Sequence, residues 1–267
     1  LLREMERHFG DRGEKPFRAR QVMRWVYEGD AVSFDDMTDL PAREREALAE
    51  SYRLAEPPPH TVERSADGTA KHLWQLEDGE LVESVLIPSG DRLTLCISSQ
   101  AGCAMGCTFC LTGTMGFIRN LTPAEIVGQI CAVRDYLLAQ PAGSLIGPDR
   151  VTNVVYMGMG EPLNNLKNVL ASLSIITEQK GLDLASRKIT VSTCGIVPRI
   201  RELGEKSAVN LAISLHSVDD AVRSRLMPVN DRYPVAALLD ACRNFPMPKR
   251  KRIMFEYTLL KGINDAD

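Results

Sequence analysis

Residues 92–98, "RLTLCIS", followed by residues 121–140, "LTPAEIVGQICAVRDYLLAQ", determine the class of fold, because a strand pattern is followed by a helix pattern. In the helix, Thr122 is the predicted N-cap, Pro123 is the first helical residue and Glu125 completes a capping box. The same alternation of strand and helix recurs towards the end of the chain. It predicts an α/β fold with a parallel sheet.

The repeated alternation contains five predicted strands. They lie near residues 93, 152, 188, 209 and 253. The most unusual segments follow these strands directly: a cysteine-rich loop, "GMGEP" at 158–162, Ser192, and the segment that ends at His216. A barrel brings the C-terminal ends of its strands around one mouth. We therefore predict a partial (β/α) barrel over residues 93–267.

Two shorter segments precede the barrel. Residues 1–56 are predicted to form a small helical accessory domain, and the prolines of "EPPPH" at 56–60 mark its boundary, since consecutive prolines cannot continue a helix. Residues 57–92 are predicted to form a linker and a β-hairpin, because Asp78-Gly79 is a strong turn signal between two strand patterns.

The composition narrows the class of protein. Hydrophobic residues make up 44% of the 267 residues and charged residues 25%, and the net charge is −3. No apolar run approaches the ~18 residues of a membrane span, and no signal-peptide pattern opens the chain, so we predict a cytoplasmic protein. This net charge argues against a protein that coats nucleic acid by bulk electrostatics, which requires a basic surface. Because the chain begins with Leu1 and ends near a strand-like segment, we expect it to be part of a longer protein.

Four of the seven cysteines lie between residues 96 and 110. In a reducing cytoplasm such a group indicates metal binding or catalysis rather than disulfides. Cys103, Cys107 and Cys110 have the spacing C-x3-C-x2-C, and three thiolates can hold a 4Fe-4S cluster with one iron left open. Two alternatives remain: a zinc site that recruits Cys96 as a fourth ligand, or thiols without a metal.

The cysteine loop, with Phe109 before its third cysteine, resembles that of the radical S-adenosylmethionine (SAM) enzymes. Further stretches resemble the adenine-C2 RNA methyltransferases, which act on 23S ribosomal RNA and transfer RNA. These are "GFIRNLTPAEIVGQI" at 116–130, "VTNVVYMGMGEPLNN" at 151–165, "STCGIVP" at 192–198, "LAISLH" at 211–216 and "MPVN" at 227–230. The N-terminal "GEKPFRARQVMRWVY" at 13–27 is similar to the accessory domain of that family, for which we expect RNA binding.

The resemblance implies two cofactors. Cys103, Cys107 and Cys110 would hold a 4Fe-4S cluster, whose open iron binds the amino and carboxylate groups of SAM before electron transfer cleaves it to a 5′-deoxyadenosyl radical. "GMGEP" lacks the third glycine of a dinucleotide loop, and a carboxylate there suits the ammonium of a methionine moiety. The residues expected to contact SAM are Gly160, Glu161, Ser192, Ser214, Leu215 and His216.

Two further residues gain a catalytic role from the resemblance. Cys96 would resolve a covalent protein–RNA intermediate by forming a transient disulfide, whereas an isolated cysteine in a strand is more often a small buried hydrophobe. Glu83 would accept the adenine C2 proton, and an apolar setting would raise its pKa towards that of a general base. The alternative for Glu83 is an outward-facing polar position, which strand alternation favours.

The family carries the transferred methyl group on a second cysteine near its C-terminus. Cys131, Cys194 and Cys242 do not match that position, so the resemblance places the carrier beyond residue 267. It also implies an electron donor such as flavodoxin, a monomer, and no association with a membrane. Two alternatives to this function stay open: a methyltransferase that acts on adenine C8 and confers resistance, and a zinc-containing RNA-binding protein without radical chemistry.

Overall fold

The computed structural model describes residues 2–28, 31–54, 59–141, 146–179, 181–247 and 251–265. The chain divides into two compact units. The first comprises Leu1–Glu56 and Ser174–Leu184, and the second comprises Pro57–Leu173 and Ala185–Asp267. Most of the proline run predicted as a boundary lies outside the described residues.

The first unit begins with three α-helices: α1 (Leu2–Asp11), α2 (Phe17–Tyr27) and α3 (Ala42–Ser51). The last two were expected from the sequence, whereas α1 was not. Their apolar faces enclose a core that includes Phe9 and Leu48, both fully buried. Burial of these faces stabilises helices that are too short to persist alone.

The strands all belong to the second unit. They are β1 (Pro59–Arg64), β2 (Ala70–Gln75), β3 (Leu81–Ser89), β4 (Arg92–Cys96), β5 (Gln100–Gly102), β6 (Phe117–Asn120), β7 (Asn153–Tyr156), β8 (Ile189–Thr193), β9 (Asn210–Ser214) and β10 (Met254–Glu256). Eight of them form one sheet in the order β1-β2-β3-β4-β7-β8-β9-β10, and β5 pairs with β6.

Within the large sheet, β1 to β4 are antiparallel, whereas β4, β7, β8, β9 and β10 are parallel. The parallel strands lie at the five predicted positions. The predicted hairpin, β2 and β3, continues the same sheet, because β3 pairs with β4. The segment predicted as a linker contains β1, which was not predicted and which pairs antiparallel with β2.

The remaining helices alternate with the parallel strands. They are α4 (Leu111–Thr114), α5 (Pro123–Leu138), α6 (Leu166–Ile176), α7 (Val197–Lys206), α8 (Asp220–Leu226) and α9 (Val235–Arg243). The predicted capping box of α5 is present: Thr122 N donates to Glu125 Oε2 at 2.8 Å, and Glu125 N donates to Thr122 Oγ1 at 3.2 Å. None of the helices in the described ranges is long and apolar enough to cross a membrane.

Candidate active site

A cleft of about 640 Å³ opens where the parallel strands end. Eight of the predicted site residues line it: Cys103, Cys107, Cys110, Gly160, Glu161, Ser192, Ser214 and His216. The fold therefore brings the cysteine loop and the later strand ends together around one space.

The cysteine loop is closed at its base by β5 and β6. Gly102 adopts φ +70°, and a Cβ on it would lie 1.9 Å from the carbonyl oxygen of Gly116, so no other residue fits there. Cys103 N donates to that same carbonyl at 2.8 Å. The middle of the loop contacts α8, because Thr108 N donates to Leu226 O at 2.9 Å. These contacts fix the loop that carries the three thiols.

The three thiols of the loop line the same cleft. Among the described residues, no group of three or more His, Cys, Asp or Glu side chains is arranged to hold a metal ion. A 4Fe-4S cluster takes each thiolate on a different iron, and three thiolates are one short of a closed tetrahedral zinc site. Burial raises the pKa of Cys107 to about 12, so binding of a metal must release its proton.

Glu161 is the most deeply buried carboxylate of the cleft, with 4% of its surface exposed. Its Oε1 accepts from Leu163 N at 2.9 Å, and its Oε2 accepts from Cys194 N at 2.8 Å. Burial raises the pKa of Glu161 against these hydrogen bonds. Before it lies Gly160 at φ +93°, where a Cβ would approach the Gln100 side chain to 2.4 Å. The carboxylate is thus held rigidly in a dry wall.

Glu256 on β10 was not predicted as a site residue. Its Oε2 accepts hydrogen bonds from Ser192 Oγ and Ser214 Oγ, both at 3.1 Å. Each serine has one proton, and here both protons point to Glu256, so the serine oxygens can only accept further hydrogen bonds. This part of the cleft therefore suits a ligand group that donates hydrogen bonds.

His216 is held in an unusual backbone conformation, φ +54°. Its Nδ1 accepts a hydrogen bond from Thr258 N at 3.0 Å, which leaves Nε2 to carry the proton of the neutral ring. Desolvation lowers the pKa of His216 and so favours that neutral form. The Phe109 ring lies edge-on to it, with centroids 4.7 Å apart. His216 is oriented as a hydrogen-bond donor beside the cysteine loop.

The strand register places five candidate site side chains on one face of the large sheet. They are Glu83 on β3, Cys96 on β4, Ser192 on β8, Ser214 on β9 and Glu256 on β10. Paired residues, and residues two apart along a strand, point to the same side of a sheet. Glu83 and Cys96 do not line the cleft, but they share the face from which its serines project.

The surroundings of Glu83 differ from the apolar setting that we expected. The side chain is 42% exposed, and its Oε1 lies 3.4 Å from Lys71 Nζ, which is also 3.0 Å from Glu63 Oε2. The prediction of an apolar setting is wrong because β1 and β2 bring charged residues to the same face. The Glu83 backbone is nonetheless tied to the cleft: Ser98 Oγ donates to Glu83 O at 2.5 Å and accepts from Met159 N at 2.8 Å.

Cys96 and Leu215 also lie outside the cleft lining. Burial raises the pKa of Cys96 to about 11, so its thiol is a weak nucleophile in this state. All seven cysteines are free thiols, and no disulfide involves Cys96. Leu215 is buried and contributes its backbone, because its N–H donates to Glu256 O at 3.0 Å.

Three residues of this region escaped the sequence analysis. Glu256 lies in the apolar stretch "RIMFEYTLL" at 252–260, where a lone carboxylate was a usable signal. Cys194 lines the cleft as a buried thiol. Arg223 is fully buried, and the sequence analysis did not single it out.

Two family models match the chain. The model of the ribosomal RNA large subunit methyltransferase N-terminal domain matches residues 2–54, and the radical SAM superfamily model matches residues 97–267. A crystal structure of a radical SAM methyltransferase from Sphaerobacter thermophilus superposes with a TM-score of 0.90 at 41% identity, covering 100% of this chain and 77% of that one. The protein is a radical SAM enzyme, and the predicted fold class is confirmed.

Curated relatives define the family more closely. A dual-specificity RNA methyltransferase RlmN from Desulfotalea psychrophila is 62% identical over 255 residues, which are 96% of this chain and 70% of the relative. Another RlmN, from Geotalea uraniireducens, is 50% identical over 99% of this chain and 74% of the relative. The chain belongs to the RlmN family of RNA methyltransferases. The cofactors of this family, a 4Fe-4S cluster and SAM, are those predicted, and a non-catalytic zinc protein is not supported.

Proposed function

We propose that the protein transfers a methyl group from SAM to C2 of an adenine in 23S ribosomal RNA, and also in transfer RNA. The observation that carries this proposal is the single cleft that joins three cysteines, a buried carboxylate and two acceptor serines. The name of the relatives, dual-specificity RNA methyltransferase, supports RNA as the substrate. The C2 position rests on the resemblance of the motifs described above, and no observation favours C8.

Cys103, Cys107 and Cys110 would hold the 4Fe-4S cluster. When bound, the cluster supplies the electron that cleaves SAM. The role of the chain is to position and protect: β5 and β6 fix the loop, and Phe109 packs against His216 beside it. A dry and rigid surrounding strengthens the electrostatic contacts to a charged ligand.

Glu161 would bind the ammonium of the methionine moiety. Both carboxylate oxygens already accept backbone N–H groups, so the carboxylate cannot rotate away. An ammonium that enters this buried position offsets the desolvation of the carboxylate, which is the condition for a strong buried ion pair. Ser192 and Ser214 would accept hydrogen bonds from hydroxyl or amino groups of SAM, while His216 would donate one from Nε2.

Glu83 would accept the proton of adenine C2, and Cys96 would resolve the covalent intermediate. Both side chains lie on the sheet face that carries Ser192 and Ser214. Glu83 is exposed enough to meet a macromolecule, and Lys71 orients its carboxylate. The methyl carrier of the family is a separate cysteine, and none of Cys131, Cys194 and Cys242 is proposed for that role.

The partners follow from the same assignment. We propose that the helical unit contributes to RNA binding. The family model that matches residues 2–54 is that of a ribosomal RNA methyltransferase N-terminal domain, and Lys15 and Arg20 in this unit are exposed. A low-potential donor such as flavodoxin would reduce the cluster. We further propose that the protein acts as a monomer in the cytoplasm.

Anaerobic reconstitution tests the assignment. We expect about four irons per chain, broad absorbance near ~400 nm, and SAM-dependent release of 5′-deoxyadenosine with dithionite. The position of the methyl group is determined by mass spectrometry on RNA treated with a protein of the relatives' full length. Stoichiometric zinc without iron would refute the cluster, and methyl groups at C8 would refute the regiochemistry.

A further inference from the structure

Arg223 on α8 is a cation in the interior of the second unit, with none of its surface exposed. Its guanidinium makes four hydrogen bonds to three backbone carbonyls and one side-chain amide. Nε donates to Leu215 O at 3.0 Å, Nη1 to Asn230 Oδ1 at 2.8 Å, and Nη2 to Cys194 O at 2.7 Å and Ser214 O at 3.2 Å. All four acceptors are neutral groups.

No carboxylate forms an ion pair with Arg223 within the part of the chain that the structure describes. The thiols of Cys194 and Cys107 act on its charge first, and Asp220 is the carboxylate that does so, but Asp220 Oδ1 accepts from Asn230 Nδ2 at 2.9 Å and from Val235 N at 2.8 Å. Burial lowers the pKa of Arg223, yet a guanidinium stays protonated in proteins. A buried charge without a counter-ion is costly, which points to an anion that belongs beside it.

The cysteine loop lies next to this charge. Nη2 of Arg223 bonds to the carbonyl of Cys194, a residue that lines the cleft together with Cys107. Cys107 packs against an apolar group that includes Cys194 and Leu226, the last residue of α8.

We propose that Arg223 is a positioning residue whose buried charge compensates the negative charge of the cysteine-held cluster and favours its reduction. The inference rests on the proposed function, since it requires the cluster. Three thiolates make such a cluster anionic, and uptake of one electron from a low-potential donor adds one negative charge. Net charge and hydrogen bonding set the potential of iron–sulfur clusters, and a fixed cation in a dry site acts more strongly than one in water.

A purely structural role for Arg223 makes a different prediction. In that case its hydrogen bonds would only join α8 to the ends of β8 and β9, and a replacement would change stability without changing the potential. The two roles separate in a variant that keeps the cluster. Arg225 offers a matched control, because it lies one position before the end of the same helix with its side chain exposed.

The test is an anaerobic redox titration of the reconstituted protein, followed by electron paramagnetic resonance of the reduced cluster. For Arg223→Met we expect the ratio of reduced to oxidised cluster at a fixed potential to fall about tenfold, which corresponds to about 59 mV for one electron. Arg223→Lys keeps the charge and should retain most of the ratio. Arg225→Met should match the wild type. Iron content and circular dichroism are measured for every variant.

A second variant provides the test if Arg223→Met does not fold. Arg223→Gln removes the charge but keeps an amide donor for the buried carbonyls that Arg223 now contacts, so the ratio should fall in the same direction. An unchanged ratio in a folded, iron-loaded Arg223→Met or Arg223→Gln protein would overturn the inference. Failure of the wild type to bind a cluster would instead refute the proposed function.

Discussion

Glu161 and Glu83 are carboxylates of the same unit that the structure treats in opposite ways. Glu161 lies in the strand-end cleft with 4% exposure and accepts two backbone hydrogen bonds. Glu83 lies in the antiparallel part of the sheet, 42% exposed, with Lys71 as its partner. This difference matches the two proposed roles, in which Glu161 binds a small charged ligand in a preformed cleft and Glu83 acts on an RNA that arrives from solvent.

The contrast extends to the cost of altering each region. In the cleft, the loss of one partner leaves buried polar groups without hydrogen bonds, which costs ~1–3 kcal/mol per group. On the hairpin, water replaces a lost partner, and exposed ion pairs contribute about 0–1 kcal/mol. The cleft should therefore respond to mutation in both stability and cofactor binding, and the hairpin mainly in chemistry on RNA.

The largest effect is expected at the cysteine loop. Replacing Cys107 with Ala should abolish the iron signal, because two thiolates cannot hold the cluster against solvent. Iron per chain and the visible spectrum measure this loss after anaerobic reconstitution. Cys96→Ala is the control, because Cys96 lies on β4 outside the cleft lining, and it should bind as much iron as the wild type. Iron lost from the control would show that the cluster uses Cys96.

Glu161→Gln should have the next largest effect. The amide keeps the size but has only one acceptor oxygen, so either Leu163 N or Cys194 N loses its buried partner, and stability should fall by about 1–3 kcal/mol. SAM affinity should fall by roughly 30-fold or more, since the ammonium loses its counter-charge. Urea unfolding and calorimetric titration measure the two effects. Glu83→Gln is the control, because it makes the same substitution outside the cleft. Equal losses of SAM affinity in Glu161→Gln and Glu83→Gln would contradict the difference between the two carboxylates.

The pH dependence of stability should differ between wild type and Glu161→Gln in the absence of SAM. Burial raises the pKa of Glu161 above its ordinary value of 4.5. The folded state then holds the proton more tightly than the unfolded state. The protonated Glu161 therefore contributes to the free energy of unfolding fully below pH 4.5, and this contribution is lost as the pH rises through the pKa of the folded state. We expect the unfolding free energy of the wild type to decline as the pH rises above 4.5 through the pKa of folded Glu161, and that of the variant to lack this decline. Parallel curves of unfolding free energy against pH for the two proteins would contradict this.

Glu256→Gln should have a smaller effect on SAM. The glutamine amide can donate to one of the two serine oxygens, which removes an acceptor that the cleft offers to the ligand. We expect the affinity for SAM to fall about tenfold while iron content holds. A competing titration with a SAM analogue gives the measurement. An affinity for SAM equal to that of the wild type would show that SAM does not donate hydrogen bonds to the two serine oxygens.

The sequence predicted features whose cause is local. The spacing of three cysteines, the capping box at Thr122, and the parallel strands with their terminal motifs depend on residues that are close in the chain. It did not predict features that arise from distant residues. Glu256 gains its role from two serines on other strands, and β1 brings charge to the face of Glu83 from outside the predicted hairpin. Long-range pairing of this kind leaves no periodic signal.

The smallest effect on folding is expected from the pair of Glu83 and Lys71. Glu83→Gln and Lys71→Met should each leave the midpoint of urea unfolding nearly unchanged, because both side chains are more than one-third exposed and water screens a pair that lies 3.4 Å apart. SAM affinity and iron content should match the wild type, since neither residue lines the cleft. Methylation of RNA by a protein of the relatives' full length should nonetheless fail in Glu83→Gln, because the amide cannot accept the C2 proton. The chemistry is therefore separated from folding and cofactor binding in one variant. Normal methylation by Glu83→Gln would assign the base elsewhere, whereas weakened SAM binding would place Glu83 within the cofactor site and remove the contrast with Glu161.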